Sequence, residues 1–129
     1  MPLKAGDAFY KTGTGGFGNP SGGHLCVCLT SPCDKDNILT VTIQTYRPGF
    51  DTSCILDVGD HEFIQHKSIA TYSRATKVGA TATQALIDNG TYALKACVGP
   101  AILKKLREGL KASGDTPPFA LDYAKKRGV

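Results

Sequence analysis

The sequence predicts a mainly β domain, a small barrel or sandwich followed by one or two C-terminal α-helices. Two patterns carry this reading. Short apolar segments, each long enough for one strand, recur at roughly 8–12-residue spacing, and the clearest helical periodicity comes only after them. A length of 129 residues suits one domain, with the barrel over about residues 3–98 and a helix and tail over about 99–129. Hydrophobic residues at 41% and charged residues at 20% are ordinary for a globular chain and exclude disorder, collagen and coiled coil.

The first strand is expected over Asp7 to Lys11. Thr12 to Gly23 then holds six of the 15 glycines, too much backbone entropy for a core element, and reads as a long loop that is flexible or covers a ligand. It is not a phosphate loop, because no Gly-Lys-Ser/Thr ending and no helix follow it. His24 to Thr30 is a short apolar run bounded by glycines and Ser31-Pro32, as expected of a buried strand. Asp34 to Asn37 reads as a turn. Ile38 to Thr45 is rich in β-branched residues, with Leu39, Val41 and Ile43 on one face. Ser53 to Leu56 reads as a short strand, Val58 to Asp60 as a turn and Ser68 to Ala75 as a further strand. Thr81 to Ile87 and Tyr92 to Val98 fit either a strand or a short helix, and the Asn89-Gly90 between them is a hairpin-type signal. Pro100 to Ala112 is the best helix: Pro100 suits its first turn, and Ile102, Leu103, Leu106 and Leu110 recur at helical period. From Phe119 the chain is expected to be a mobile, basic tail.

Charge narrows the partners. Fifteen Lys and Arg against 11 Asp and Glu give a net charge of +4, which permits an anionic partner without requiring one. Much of the excess lies at Lys104, Lys105, Arg107, Lys111 and Lys125 to Arg127, a solvated face or an anion-binding one. No apolar run approaches the roughly 20 residues of a membrane-spanning helix. The start of the chain lacks an apolar signal region, so a cytoplasmic location is expected. Five cysteines, Cys26, Cys28, Cys33, Cys54 and Cys97, are then expected to be free thiols, with Cys26 and Cys28 on one strand face as small buried hydrophobes.

The densest polar constellation runs from Asp51 to Ser68, with Cys54, Asp60, His61, Glu62, His66 and Lys67 inside it. Cys54, His61 and His66 lack the paired spacing of a zinc site, so no metal is expected. A Cys54 nucleophile activated by His61 has no supporting local signature. Acid–base chemistry fits better. Histidine takes and gives a proton near neutrality, and a neighbouring carboxylate, Asp60 or Asp51, could set its tautomer. Cleavage of RNA by its own 2′-hydroxyl needs such groups and a cation for the phosphate, with no cofactor. Arg47, Lys67 and Arg74 are candidate cations, and Tyr46, Phe50 and Tyr72 are candidate stacking platforms. The structural alternative is that Asp60 and His61 only hold a turn.

The order of features resembles the MazF/PemK-like toxins of bacterial toxin–antitoxin systems. Lys4-Ala5-Gly6-Asp7 is similar to that family's opening Lys-x-Gly-Asp, and Ile38 to Thr45 to its strand ending in Ser or Thr at the active site. The likeness covers about residues 3–75 and the helix after Pro100. It implies a small SH3-like barrel that dimerises, is held by a cognate antitoxin and cleaves single-stranded RNA without metal, with Thr45 in the site. The family's Arg-Pro before its second strand is absent. Gly22-Gly23-His24 stands there, and no arginine precedes Arg47. The expected site is therefore His24, Thr45, Asp60 and His61 as catalytic residues, with Arg47, Lys67, Arg74 and Tyr72 on the RNA. The competing expectation is a non-catalytic SH3-like module that holds a protein or peptide through Tyr46, Phe50 and Tyr72.

Overall fold

The computed structural model describes residues 3–11 and 24–129; the glycine-rich loop expected over Thr12 to Gly23 lies outside them. Among the described residues, six strands and three helices follow in the order β1 (Ala8–Lys11), β2 (His24–Cys28), β3 (Asn37–Thr45), β4 (Ile55–Leu56), β5 (Ser68–Gly79), α1 (Ala80–Asp88), β6 (Tyr92–Lys95), α2 (Pro100–Ala112) and α3 (Pro118–Lys126). The strands form one antiparallel sheet in the order β4-β5-β3-β2-β1-β6 that curls into half a barrel. The fold is thus mainly β and barrel-like, with two C-terminal helices.

The curl has a local cause. β5 pairs with β3 along nearly its whole length, but Thr40 faces Thr76 while Thr42 faces Thr71. The extra β5 residues between those pairs form a bulge, which bends a strand and increases its twist. The concave face is then filled by helices rather than by opposing strands. Leu25, Val27, Leu39, Val41 and Ile43 pack there with Leu106 and Leu110 of α2 and Ala120 and Ala124 of α3. The alternation expected of β3 places those residues inward.

The opposite face carries a second, smaller cluster of Leu3, Phe9, Cys26, Cys28, Ile38 and Ala80, flanked by Ile87 of α1 and Tyr92. Cys26 and Cys28 share this face, and both are buried. Desolvation, first of all, pushes the Cys28 thiol up to about 12, which keeps it protonated and inert. α1 covers only one end of this face. Beyond Cys26 the sheet presents Lys11, His24, Thr40, Thr42, Arg74 and Thr76.

Two alternatives left open by the sequence are decided here, and two expectations are corrected. Thr81 to Ile87 belongs to helix α1, and Tyr92 to Lys95 is strand. Asn89-Gly90 is not a hairpin turn but the end of α1: the Asn89 and Gly90 amides donate to the carbonyls of Ala85 and Ile87 at 3.0 and 3.1 Å. Gly90 at φ +85° takes the left-handed conformation that ends helices, which glycine adopts at no steric cost. The tail expected to be mobile is α3. Ala120 and Ala124 are buried, and the Tyr123 hydroxyl donates to the Asn37 carbonyl at 2.9 Å. Two alanines and one tyrosine make too faint an apolar stripe to mark a helix by periodicity. α2 spans the expected residues, with Leu106 and Leu110 fully buried and Ile102 and Leu103 partly so.

A candidate acid–base groove at the edge of the sheet

An open groove of about 750 Å³ lies where the ends of β2 and β3 meet the 57–66 loop and β6. His24 enters it as the first residue of β2, and Thr45 as the last of β3. Arg47 stands in the turn that follows, closed by the Phe50 amide donating to the Arg47 carbonyl at 3.1 Å. Glu62 and His66 come from the loop, and Lys95 from β6. The groove therefore brings together three of the expected residues, His24, Thr45 and Arg47, that are separated by up to 23 positions in sequence.

Its walls are aromatic. The Tyr10 and Phe63 rings meet at 5.0 Å between centroids. The Lys95 ammonium sits 5.3 Å over the Phe63 ring, a cation–π arrangement that orients it. Phe50 lines the other side. Positive charge, one carboxylate, aromatic surface, hydroxyls and two imidazoles thus line one open surface.

His24 is partly buried at its wall. Its pKa is held below 6.5 by burial first, then by the positive charges of Arg74 and Lys11. The shift favours the neutral imidazole, the form a general base requires.

His61 does not line the groove. It is buried at 6% exposure, and both ring nitrogens are engaged. Nε2 lies 2.5 Å from the Ala96 carbonyl and Nδ1 accepts the Phe63 amide at 3.0 Å. A carbonyl only accepts and an amide only donates, so the partners select the neutral tautomer with its proton on Nε2. The ring bolts the 57–66 loop to the end of β6 and fixes the backbone of Phe63. The expectation that His61 is the reacting base is corrected: its ring is held between two backbone groups and does not reach the groove.

Asp60 stands apart from the groove as well. Its carboxylate accepts the Asp57 amide at 2.8 Å, and its own amide donates to the Asp57 carbonyl at 3.0 Å. It closes the turn around Gly59, whose φ of +103° requires glycine. Tyr72 is corrected too. It is 0% exposed, and its hydroxyl donates to the Leu106 carbonyl at 2.7 Å, so it cannot stack on a base. Lys67 lies outside the groove, with its ammonium 4.6 Å over the Tyr46 ring. Arg74 lines the adjoining depression on the sheet face, beside His24.

Cys54 is 1% exposed, and burial raises its pKa, so no reactive thiolate forms there. Among the described residues no three His, Cys, Asp or Glu side chains gather as metal ligands. No helix among them is long and apolar enough to cross a membrane.

Sequence reasoning passed over Tyr10, Gln44, Phe63 and Lys95 as site residues, and named Glu62 and His66 only within the wider constellation. The pairing of β1 with β6, Tyr10 opposite Ala93, brings Lys95 to the groove across more than 80 positions of sequence. No local signal encodes that pairing. His66 had one available sign: it lies two residues before the strand that pairs with Thr45.

Compared with known proteins, the chain matches no family model and no curated protein.

Proposed function

We propose that this chain is a toxin-type, metal-independent endoribonuclease that cleaves single-stranded RNA by acid–base chemistry in the groove. The observation that carries the reading is the convergence of neutral His24, Thr45, Arg47 and His66 on one aromatic-walled surface. His24 takes the proton of a ribose 2′-hydroxyl, and the freed oxygen attacks the adjacent phosphorus. The bond to the departing 5′-oxygen breaks, and His66 returns a proton to that oxygen. The products are a 2′,3′-cyclic phosphate and a free 5′-hydroxyl. Arg47 pairs with the phosphoryl oxygens, where charge builds up, and a guanidinium can do so in a two-pronged manner. Thr45 offers a hydroxyl to the same group. Phe50, Tyr10 and Phe63 supply faces for bases to stack on. The resemblance to MazF/PemK-like toxins extends the proposal to a homodimer, held by a cognate antitoxin in the cytoplasm.

The purified protein, incubated with single-stranded RNA in the presence of a chelator, should yield fragments ending in 2′,3′-cyclic phosphate. His24→Ala should lower the rate about 10²–10⁴-fold, the usual cost of losing a general acid or base. Induced expression should arrest a bacterial host and fragment its RNA, and His24→Ala should relieve both. Intact RNA with folded wild-type protein would overturn the reading. The second reading, a peptide-binding module, would then rest on Tyr10, Phe50 and Phe63 in the same groove, with Tyr72 removed from its aromatic set.

A further inference from the structure

The groove is not the only depression that His24 lines. A second one, of about 210 Å³, lies on the outer sheet face and is formed by Lys11, His24, Cys26, Thr40, Thr42, Arg74 and Thr76. Register explains its composition. Lys11 stands opposite His24, Cys26 opposite Thr42, and Thr40 opposite Thr76, so four neighbouring strands each place a polar or thiol group on one floor. Lys11 and Arg74 flank that floor from strands three places apart, roughly 14 Å at the usual strand spacing. Their long side chains line the same depression, and among the described residues no carboxylate lines it with them.

We infer that this depression is a phosphate-binding subsite, with Lys11 and Arg74 supplying charge and the threonine floor supplying hydroxyl donors. Three observations favour an anion. Two cations share one concavity whose other lining groups are neutral. Thr42 and Thr76 bring hydroxyls to it, while Thr40 already donates to the Thr76 carbonyl at 3.3 Å. The field of both cations reaches His24 and disfavours its charged form, a repulsion that a bound anion would reverse. Because His24 lines both depressions, the two adjoin, and a strand seated at Arg47 and His24 would have Lys11 and Arg74 on the other side of that ring. That the phosphate belongs to an RNA strand rests on the function proposed above; that the depression takes phosphate does not.

The test is an NMR pH titration of the His24 imidazole, with and without inorganic phosphate. His24 faces Lys11 and Arg74 on the sheet side, with Cys26 beside it, and Glu62, His66, Arg47 and Lys95 on the groove side. Phosphate should move the His24 midpoint upward. In the Lys11→Gln/Arg74→Gln double variant the midpoint should already be higher without phosphate and should respond less to it, any remaining shift coming from the Arg47 side of the ring. Lys104→Gln, on exposed helix surface, should behave as wild type. An unresponsive His24, or an equal response in the double variant, would overturn the subsite. A 2′-O-methylated RNA oligonucleotide, which cannot be cleaved by its own hydroxyl, provides the second arm. The salt dependence of its binding should lose about one unit of slope per cation removed. Should phosphate act through Lys11 and Arg74 while RNA affinity and its salt slope stay unchanged, the subsite stands and its assignment to the RNA strand falls. Cleavage with no phosphate response would leave the groove reading intact and remove this subsite alone.

Discussion

Two histidines of this chain show how surroundings decide what one side chain does. His24 is partly desolvated beside Arg74 and Lys11, which keeps it neutral. Folding lowers its pKa below 6.5, so under acid conditions the unfolded chain binds the extra proton. The contribution to stability is nil above that value. It turns unfavourable as pH falls from 6.5 toward the folded pKa. Chemical denaturation at pH 7.5 and pH 5.5 should therefore show a loss of stability on acidification that is smaller in His24→Gln. On the proposed function, the rate of RNA cleavage should fall over the same acid range, because His24 becomes protonated. His61 is held instead by the Ala96 carbonyl and the Phe63 amide. His61→Ala should cost about 1–3 kcal/mol in denaturant unfolding, since a buried ring is removed, the part-buried Phe63 amide loses its acceptor and the Ala96 carbonyl its donor. Any fall in its cleavage rate should come through a displaced Phe63 loop and leave the acid limb of the pH profile where it was.

At the scale of elements, α2 is seated by a glycine. A methyl group on Gly109 would fall on the Tyr72 hydroxyl and lie 2.8 Å from the Tyr72 Cζ and 2.9 Å from the Cys54 Cβ. In an exposed helix, glycine to alanine stabilises by roughly 0.5–1 kcal/mol. Here overpacking reverses the sign, because the Tyr72 hydroxyl is anchored to Leu106 one turn away on α2. Gly109→Ala should lower stability by about 1–3 kcal/mol, read as a shift of the denaturant midpoint with an unchanged slope. The helix is tied at a second point, where Arg107 Nε donates to the Leu29 carbonyl at 3.0 Å. One of its basic residues is therefore a structural anchor rather than part of a free cationic face. The loop before β4 is fastened to the end of α2 as well: Asp51 accepts from Ser113 and Ser53. Burial alone would raise the Asp51 carboxyl, but those bonds outweigh it and leave it below the ordinary carboxylate value.

At the scale of the whole molecule, the site is a product of sheet order. β3 lies between β5 and β2, and β1 carries β6 on its far side. That order sets Thr45, His24 and Lys95 around one groove and Lys11, His24 and Arg74 around the next. Local patterns were enough to read the strands from Ala8 to Leu56, the β3 alternation, the turn at Gly59 and α2. Each depends on near neighbours: β-branched runs, glycine at positive φ, or an apolar stripe at helical period. The same local reasoning brought forward His24, Thr45 and Arg47, which the fold places in the groove. It also promoted His61, Asp60 and Tyr72, because a polar cluster in sequence looks alike whether its groups face a groove or bind their own backbone.

Composition and periodicity by themselves determined that this is a mainly β domain with helices at its end, since hydrophobic burial follows the period of each segment. Only the tertiary structure decided which histidine is presented and which is locked. It also decided that the tail is a helix and that Lys95 and Lys11 join His24. The physical reason is that strand pairing acts between distant segments. The partner of a strand, and the face on which each side chain emerges, depend on register, and no local residue pattern records the register between β1 and β6 or the bulge in β5.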